Sequence, residues 1–130
     1  MTLTKVTYSM VESAPANILD FGADLSGLTD STSAIQSALN SGAATVFAPA
    51  GTYSITTITI PENVSLVGEG STKTFFETVT SGNAVTFSGN YNTQVHGFTL
   101  TQTGAVQGKG LYLIEQYFVT MIDVTINGFQ

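Results

Sequence analysis

The chain has 130 residues, of which 42% are hydrophobic and only 9% are charged, and its formal net charge is -6. Soluble domains usually carry about 25% charged residues, so the surface here must be built mainly from Thr, Ser, Asn, Gln and Gly, which excludes charge-rich disorder and favours stacked strands. Three lysines, no arginine and no cysteine argue against nucleic acid as a partner and exclude disulfides and thiolate metal sites.

Residues 1–16 are a weakly patterned stretch that ends in Ala14-Pro15-Ala16, and we expect a connector arm that is partly extended. The opening MTLTKVTYSM lacks the apolar core of a signal peptide, and the chain has no run of about 18 apolar residues that could span a bilayer. The sequence therefore predicts no membrane partner. If the protein works outside a cell, we expect a route other than ordinary secretion.

Residues 17–44 are predicted to form opening turns followed by one amphipathic helix. The stretch from Asp20 to Thr29 is rich in turn residues. Asp30 or Ser31 can cap the helix that follows, and Gly42 marks its end. The predicted helix covers residues 30–41, and the residues at helical spacing on its apolar face are Ala34, Ile35, Ala38 and Leu39.

Residues 45–130 switch to an alternation of apolar and polar side chains, which is typical of strands. Turn residues separate the short runs, as at Pro49-Ala50-Gly51 and Pro61-Glu62-Asn63. The chain also matches itself without a gap at an offset of about 26 residues, a period typical of stacked repeat units. This match sets Ala84-Val85-Thr86-Phe87 on Gly110-Leu111-Tyr112-Leu113.

The repeat predicts how the strands pair. At the same offset Val95 falls on Met121 and Phe98 on Val124, and a weaker echo sets residues 64–68 on residues 93–97. Strands of about four residues are too short for a flat meander, but each can pair with its equivalent in the next repeat, about 4.8 Å away. We therefore expect an all-β fold of stacked parallel rungs around an apolar bore. The bore is predicted to contain Val85, Phe87, Val95, Phe98 and Leu100.

The end of such a solenoid exposes apolar surface and unpaired strand edges. The predicted helix at residues 30–41 comes just before the first strand. We therefore expect its apolar face to plug the N-terminal mouth as a capping helix.

Four stretches make a distinctive set: Ile18-Leu19-Asp20-Phe21-Gly22-Ala23-Asp24, residues 27–39, Phe47-Ala48-Pro49-Ala50-Gly51-Thr52-Tyr53 and residues 64–70. Together they resemble the opening of the pectate-lyase-like superfamily as it occurs in phage tailspikes. The resemblance implies a right-handed, single-stranded parallel β-helix, a homotrimer, and a place in the phage tail of the virion. The family usually carries many more rungs, so we expect a fragment, or a short form whose open end is covered by a partner.

The arm carries a second resemblance to phage tail proteins. The stretch Val6-Thr7-Tyr8-Ser9-Met10-Val11-Glu12 is similar to the connector by which phage tail proteins join a particle-binding domain to the β-helix. The resemblance therefore implies other phage tail proteins as partners.

Polysaccharide hydrolysis needs two carboxyl groups about 5–9.5 Å apart, and side chains on adjacent rungs can meet that spacing. Glu115 and Asp123 are the best acidic candidates, because both stand where the preceding repeat has glycine. His96 is predicted to stack against Ile122, within hydrogen-bonding reach of Asp123, and is a third catalytic candidate. The alternative for all three is a solvated corner residue.

Asp20, Asp24 and Asp30 fall in the opening turns and the helix cap, where an Asp most often accepts hydrogen bonds from backbone N–H groups. We therefore expect a structural role for these three carboxylates.

Tyr91 and Tyr117 recur at the repeat spacing and are the candidates for binding carbohydrate, because aromatic faces pack against sugar rings. Tyr112 and Phe118 can do the same. The alternative is an aromatic ladder or packing beneath a loop, and an exposed Phe118 could also mark a contact between subunits.

A lyase needs a base and also a cation that neutralises the uronate carboxylate. Lys73 and Lys109 are predicted to lie in loops, so a complete lyase site is not expected in this segment. No calcium loop or zinc spacing is present, and we expect neither a metal nor a cofactor.

Two classes of function stay open. The first is a segment of a phage tailspike or tail fibre that engages bacterial surface polysaccharide. Its full-length form would be a capsule or lipopolysaccharide depolymerase, a glycosidase or a lyase, with this segment inactive by itself. The second is a non-catalytic structural trunk or receptor-binding part of the tail. A free-standing pectin-active enzyme is disfavoured by the missing signal peptide.

Overall fold

Strands make up most of the regular secondary structure among the described residues. A computed structural model of the chain describes residues 14–79, 81–88, 92–103, 108–113 and 118–129. The described part opens with β1 (Ala16–Asn17), a 3-10 turn (Ile18–Phe21), β2 (Ser26–Asp30) and helix α1 (Thr32–Leu39). The strands that follow are β3 (Thr45–Ala48), β4 (Gly51–Ile55), β5 (Ile58–Ile60), β6 (Ser65–Gly68), β7 (Thr74–Thr78), β8 (Asn83–Phe87), β9 (Thr93–Gln102), β10 (Lys109–Tyr112) and β11 (Val119–Asn127).

All the strand pairings in the described residues are parallel, and they form two sheets. One sheet has the order β1-β3-β6-β9-β7-β4-β2, with β11 also paired to β9, and the other has the order β10-β8-β5. The first half of β9 pairs with β6 and its second half pairs with β7. The backbone bends between the two halves at Gly97, where φ is +78°, so the larger sheet is curled rather than flat.

The predicted pairing register is confirmed. Val85 pairs with Leu111, Val95 with Met121 and Phe98 with Val124, which is the offset of 26 residues read from the sequence. The weaker upstream echo is confirmed as well, since Leu66 pairs with Val95. The prediction of a parallel, mostly β fold is therefore correct.

The core lies inside the curl of the strands. Side chains alternate between core and solvent along β3, β4 and β7, as the pleat of a strand requires. The five residues predicted for the bore are all buried: Val85, Phe87, Val95, Phe98 and Leu100. Three aromatic rings contact one another on successive rungs: Tyr53 and Phe76 are tilted with centroids 5.7 Å apart, and Phe76 and Phe98 meet edge to face with centroids 5.1 Å apart.

Helix α1 is shorter than the predicted span of residues 30–41. Asp30 supplies the predicted acceptor at its start, since one oxygen of its carboxylate accepts hydrogen bonds from the backbone N–H and the hydroxyl of Thr32. The hydroxyl of Ser31 instead accepts from the backbone N–H of Asp24. The backbone leaves the helix at Asn40, ahead of Gly42. Of the predicted apolar face, Ile35, Ala38 and Leu39 are buried and Ala34 is half-buried.

Gln36 joins the helix to the smaller sheet. Its side-chain amide donates to the carbonyl of Thr59 and its amide oxygen accepts from the N–H of Thr59, both at 2.8 Å. Gln36 thus satisfies both backbone groups of Thr59 that a further strand beside β5 would otherwise bind. No helix in the described part of the chain is long and apolar enough to cross a membrane.

Candidate functional site

The candidate residues divide between described and undescribed parts of the chain. Glu115, Tyr91 and Tyr117 lie outside the described residues. Asp123 and His96 lie at the bend of the larger sheet, and Tyr112 lies on the smaller sheet. The described candidates therefore lie at two places, the bend of the larger sheet and the outward face of the smaller sheet.

Asp123 occupies the bend of β11. It stands one rung beyond Gly97, as the repeat predicts, and its backbone also takes a positive φ, of +53°. Its carboxylate accepts hydrogen bonds from the backbone N–H of Ser71 at 3.0 Å and from the hydroxyl of Ser71 at 2.5 Å. The bond from the Ser71 hydroxyl, followed by the bond from its N–H, holds the pKa of the Asp123 carboxyl below its ordinary value.

Glycines line this bend. Gly97 has no side chain, and its backbone lies so close to that of Gly68 that a Cβ on either residue would overlap a carbonyl oxygen of the other. A Cβ on Gly70 would lie 4.0 Å from the Asp123 carboxylate. The Asp123 side chain binds across the bend to the turn that contains Ser71. Its carboxylate therefore has a structural role.

His96 lies on β9 and is half-buried, with Ile122 as its partner on β11 in the predicted register. Within the described residues no hydrogen bond joins His96 to Asp123, whose oxygens are bound to Ser71. The bend therefore brings the two candidates to neighbouring rungs without coupling them into an acid–base pair.

Of the three aspartates predicted to have a structural role, Asp24 and Asp30 accept hydrogen bonds from neighbouring groups, whereas Asp20 is exposed and accepts no hydrogen bond from the described residues. Both oxygens of Asp24 accept hydrogen bonds, from the hydroxyl and N–H of Ser26 and from the N–H of Thr29. The bonds from Ser26, chiefly the one from its hydroxyl, hold the pKa of Asp24 below its ordinary value. Asp30 anchors the start of α1.

The outward face of the smaller sheet carries a second set of functional groups. Thr59, Thr86 and Tyr112 stand in register on β5, β8 and β10, and the two threonine hydroxyls are 2.9 Å apart. The ammonium of Lys109 lies over the ring of Tyr112, 4.9 Å from its centroid. We call these four residues the threonine–tyrosine face.

The prediction that Lys109 lies in a loop is wrong, because Lys109 is the first residue of β10 and pairs with Asn83. The sequence held a signal for this, since the 26-residue offset sets Lys109 on the first residue of β8. Lys73 does lie in the turn that precedes β7. The threonine–tyrosine face thus combines a cation, an aromatic ring and two hydroxyls, which are groups that can bind an acidic sugar.

One pair of carboxylates shares a column on the larger sheet. Asp30 pairs with Ser54, and Ser54 pairs with Glu77, which places the two acids two rungs apart, or about 9.6 Å along the column. Inverting glycosidases separate their two carboxyl groups by about 6.5–9.5 Å. However, the Asp30 carboxylate already accepts hydrogen bonds from Thr32 at the start of α1. The two carboxylates are therefore not both free to act as an acid–base pair.

No group of three or more His, Cys, Asp or Glu side chains that could hold a metal ion occurs among the residues that the structure describes.

Comparison with known proteins gives a consistent set of relatives. Residues 16–109 match the family model described as rhamnogalacturonase A/epimerase, pectate lyase-like. The mannuronan C5-epimerase AlgE1 of Azotobacter vinelandii is 32% identical over 124 residues, which cover 86% of this chain and 8% of that protein. The chain therefore spans only a small part of the curated relative that it matches.

Solved structures agree with the sequence relatives. ORF18 of Geobacillus virus E2 superposes with a TM-score of 0.73 at 27% identity, covering 85% of this chain and 25% of that one. The A-module of the mannuronan C-5 epimerase AlgE6 of Azotobacter vinelandii superposes with a TM-score of 0.70 at 26% identity, covering 85% and 37%. These matches support the parallel, mostly β architecture.

Proposed function

Because this chain belongs to the rhamnogalacturonase A/epimerase, pectate lyase-like family, we propose that it is a segment of a phage tailspike or tail fibre that engages bacterial surface polysaccharide. The observation that carries the proposal is the threonine–tyrosine face, on which a lysine ammonium and a tyrosine ring lie beside two hydroxyls. The structural likeness to a phage protein supports a place in the virion tail, beside other tail proteins.

The glycan favoured by this face is an acidic one. The ammonium of Lys109 stands on a rigid strand and can bind a uronate carboxylate, while the ring of Tyr112 limits where the lysine can point. The curated relative is named for action on mannuronan, which supports a polymer of uronate sugars. The net charge of -6 opposes binding of a polyanion, so an acidic glycan needs a local cation such as the ammonium of Lys109.

In the full-length protein we propose a capsule or lipopolysaccharide depolymerase, a glycosidase or a lyase. The alternative is a non-catalytic trunk or receptor-binding part of the tail. A specific observation favours this alternative for the described residues, since Asp123 is bound to Ser71 and His96 faces Ile122. We therefore propose that this segment alone binds glycan without cutting it.

The architecture that we propose is a right-handed, single-stranded parallel β-helix with three parts. Residues 1–16 are the connector arm, residues 17–44 the opening turns and a capping helix, and residues 45–130 the first rungs. Two observations support the cap: α1 buries Ile35 and Leu39 in the same core as the rungs, and Gln36 satisfies the backbone edge of β5 at Thr59.

The assembly that we propose is a homotrimer. Phe118 and Ile122 are 65% and 61% exposed, and Met121 lies between them in the chain. Large apolar side chains at such exposure commonly mark an interaction surface. In a trimer this last described rung would pack against neighbouring subunits or against further rungs.

Binding of glycans to the native chain and to matched lysine variants tests the proposal. We expect binding to a polyuronate and to acidic capsular glycans, weaker binding to neutral glycans, and a loss of about tenfold in affinity in Lys109→Ala. Lys73→Ala is the control, because it removes the same charge from a turn. Equal losses in the two variants, or equal binding of neutral and acidic glycans, would contradict a site at Lys109.

The enzymatic part of the proposal is tested on this chain and on any longer natural form of it. Reducing ends indicate a glycosidase and unsaturated uronate absorbance indicates a lyase. We expect product from the longer protein and none from this chain. Binding without product in both would leave the non-catalytic trunk as the function.

A further inference from the structure

Three side chains of the threonine–tyrosine face stand in one column that runs along the stack of rungs. Thr59 lies between the buried Ile58 and Ile60, so the alternation of the strand directs its side chain outward. Thr86 pairs with Thr59, and Tyr112 pairs with Thr86 on the next rung. Because neighbouring strands are about 4.8 Å apart, the column extends about 9.6 Å from Thr59 to Tyr112.

The two ends of the column differ in chemistry. Gln36 of helix α1 binds both the N–H and the carbonyl of Thr59, at 2.8 Å each, and so occupies the edge of β5 where another strand would pair. At the other end the ammonium of Lys109 lies 4.9 Å from the centroid of the Tyr112 ring. The column therefore runs from a hydroxyl end beside α1 to a cationic end on β10.

The hydroxyl end is a pair of threonines. The hydroxyl oxygens of Thr59 and Thr86 are 2.9 Å apart and share one hydrogen bond, in which either can donate. Two hydroxyls have two protons and four lone pairs, so the pair keeps one donor and three acceptor positions. Among the residues that the structure describes, no other hydrogen bond engages either hydroxyl. Neighbouring hydroxyls of a sugar ring, which both donate and accept, complement such a pair better than a carboxylate, which only accepts.

The cationic end is the place for a carboxylate. The ammonium of Lys109 has three donors and no acceptor, and its hydrogen bonds to a carboxylate are charge-assisted. Tyr112 is half-buried beside it and offers a ring face against which a sugar can pack. One acidic sugar is enough to pair with this lysine, and a second would add negative charge beside a chain whose net charge is already -6.

We propose that a glycan lies along this column, parallel to the stack of rungs, and that the face recognises a disaccharide in which only one sugar has to be acidic. The acidic sugar packs on Tyr112 with its carboxylate on Lys109. The next sugar toward α1 binds Thr86 and Thr59 through two neighbouring hydroxyls. This placement rests on the glycan binding proposed for the same face, and it names the unit that the face binds.

Titration of the native chain with four sugars, followed by NMR, tests the length and the charge of this unit. The probes are glucuronate, a disaccharide of glucuronate and glucose, a disaccharide of two glucuronates, and cellobiose. We expect the mixed disaccharide to bind about tenfold more tightly than glucuronate or cellobiose, and within about threefold of the diglucuronate. Equal affinities for glucuronate and the mixed disaccharide would overturn the proposal. A diglucuronate that binds more tightly by over about threefold would overturn it as well.

Valine variants separate the two ends of the column. Thr86→Val and Thr59→Val each remove a hydroxyl and keep a β-branched side chain in the strand. We expect each to weaken binding of the mixed disaccharide by about fivefold and to leave binding of glucuronate unchanged, whereas Lys109→Ala weakens both by about tenfold. Thr101→Val is the matched control, since Thr101 is a half-buried threonine on β9 of the larger sheet, and it should change neither affinity.

Circular dichroism verifies that each variant is folded, and Thr86→Ser, which keeps the hydroxyl, should bind the disaccharide as the native chain does. If folded Thr86→Val and Thr59→Val bind the disaccharide like the native chain, or lose glucuronate equally, the disaccharide is wrong. The loss in Lys109→Ala would then still support the proposed function. Failure of every acidic probe to bind, or binding that Lys109→Ala does not change, would contradict both.

Discussion

The carboxylate of Asp123 binds both the backbone N–H and the hydroxyl of Ser71, which lies 52 residues earlier in the chain. The contact passes the bend at Gly97 and joins the last described rung to the turn before β7. The sequence predicts Asp123 as a catalytic candidate. The contact with Ser71 gives its carboxylate a structural role that can be measured.

The first prediction concerns this contact and pH. The folded-state pKa of Asp123 is lowered, so the stability that the carboxylate contributes is present above its ordinary pKa of about 3.9 and is lost as the pH falls through the folded-state value. Asp123→Asn should lower Tm by a few degrees at neutral pH, and its difference from the native chain should shrink below about pH 4. Thermal unfolding from pH 2 to 7 measures both effects.

Ser71→Ala provides the matched control for the Asp123 contact, because it removes the hydroxyl donor and leaves the backbone N–H. The losses in Asp123→Asn and Ser71→Ala should be less than additive in the double variant. Strict additivity would mean that the two side chains contribute independently.

The second prediction concerns the glycine at the bend. Gly97→Ala should destabilise the fold by more than the cost of about 1–2 kcal/mol for a left-handed backbone, because the new Cβ would stand 2.6 Å from the carbonyl oxygen of Gly68. Gly42→Ala is the control: its φ is also positive, at +91°, but no atom lies within 4 Å of the added Cβ. Denaturant unfolding compares the two variants, and equal losses would contradict the close approach of the two rungs.

The third prediction concerns the buried tyrosine of the aromatic stack. The hydroxyl of Tyr53 donates to the carbonyl of Pro49 at 2.8 Å, so Tyr53→Phe should cost about 1 kcal/mol by leaving that carbonyl without its partner. Burial, with a smaller effect from the charge of Glu69, raises the pKa of Tyr53 to about 12. The folded-state pKa is raised, so the stability linked to the neutral phenol is full below about pH 10 and is lost as the pH rises toward 12.

Stability measured from pH 8 to 12 tests this linkage. The native chain should lose more stability over that interval than Tyr53→Phe, which has no phenol at this position to ionise. Parallel losses in the two chains would show that ionisation of other groups dominates alkaline unfolding.

The fourth prediction concerns the contact between helix and sheet. Gln36→Ala removes both bonds to Thr59 and should cost about 1–2 kcal/mol. Gln36→Glu keeps the side-chain shape and one acceptor but sets a carboxylate oxygen against the Thr59 carbonyl, so at neutral pH its loss should be at least as large as that of Gln36→Ala. Hydrogen exchange at Thr59 should rise in the alanine variant. Unchanged exchange there would mean that the amide does not protect this edge.

Much of the fold could be predicted from the sequence because its signals are local and repeated. Alternation identifies which side chains of a strand face the core, and the 26-residue offset puts Val95 on Met121 and Phe98 on Val124. Helix α1 is shorter than the predicted span of residues 30–41, because Ser31 is its N-cap and the backbone leaves the helix at Asn40. Those choices depend on neighbouring segments, which a helical pattern does not contain.

The sequence by itself determined the parallel stacking, the register of the rungs that repeat at an offset of 26 residues and the residues predicted for the bore, because that offset puts apolar side chains on apolar side chains. The pairings of β3 with β6, at an offset of 20 residues, and of β4 with β7, at 23, are not contained in that repeat. Tertiary structure decided what the polar side chains bind. The Asp123 carboxylate binds Ser71, 52 residues earlier in the chain, because the folded backbone brings the last described rung beside the turn before β7, and the Lys109 ammonium lies over the Tyr112 ring because β10 holds both residues. Burial follows from a pattern along the chain, whereas a hydrogen bond or a cation–ring contact depends on which distant or neighbouring groups the folded backbone brings within a few ångströms.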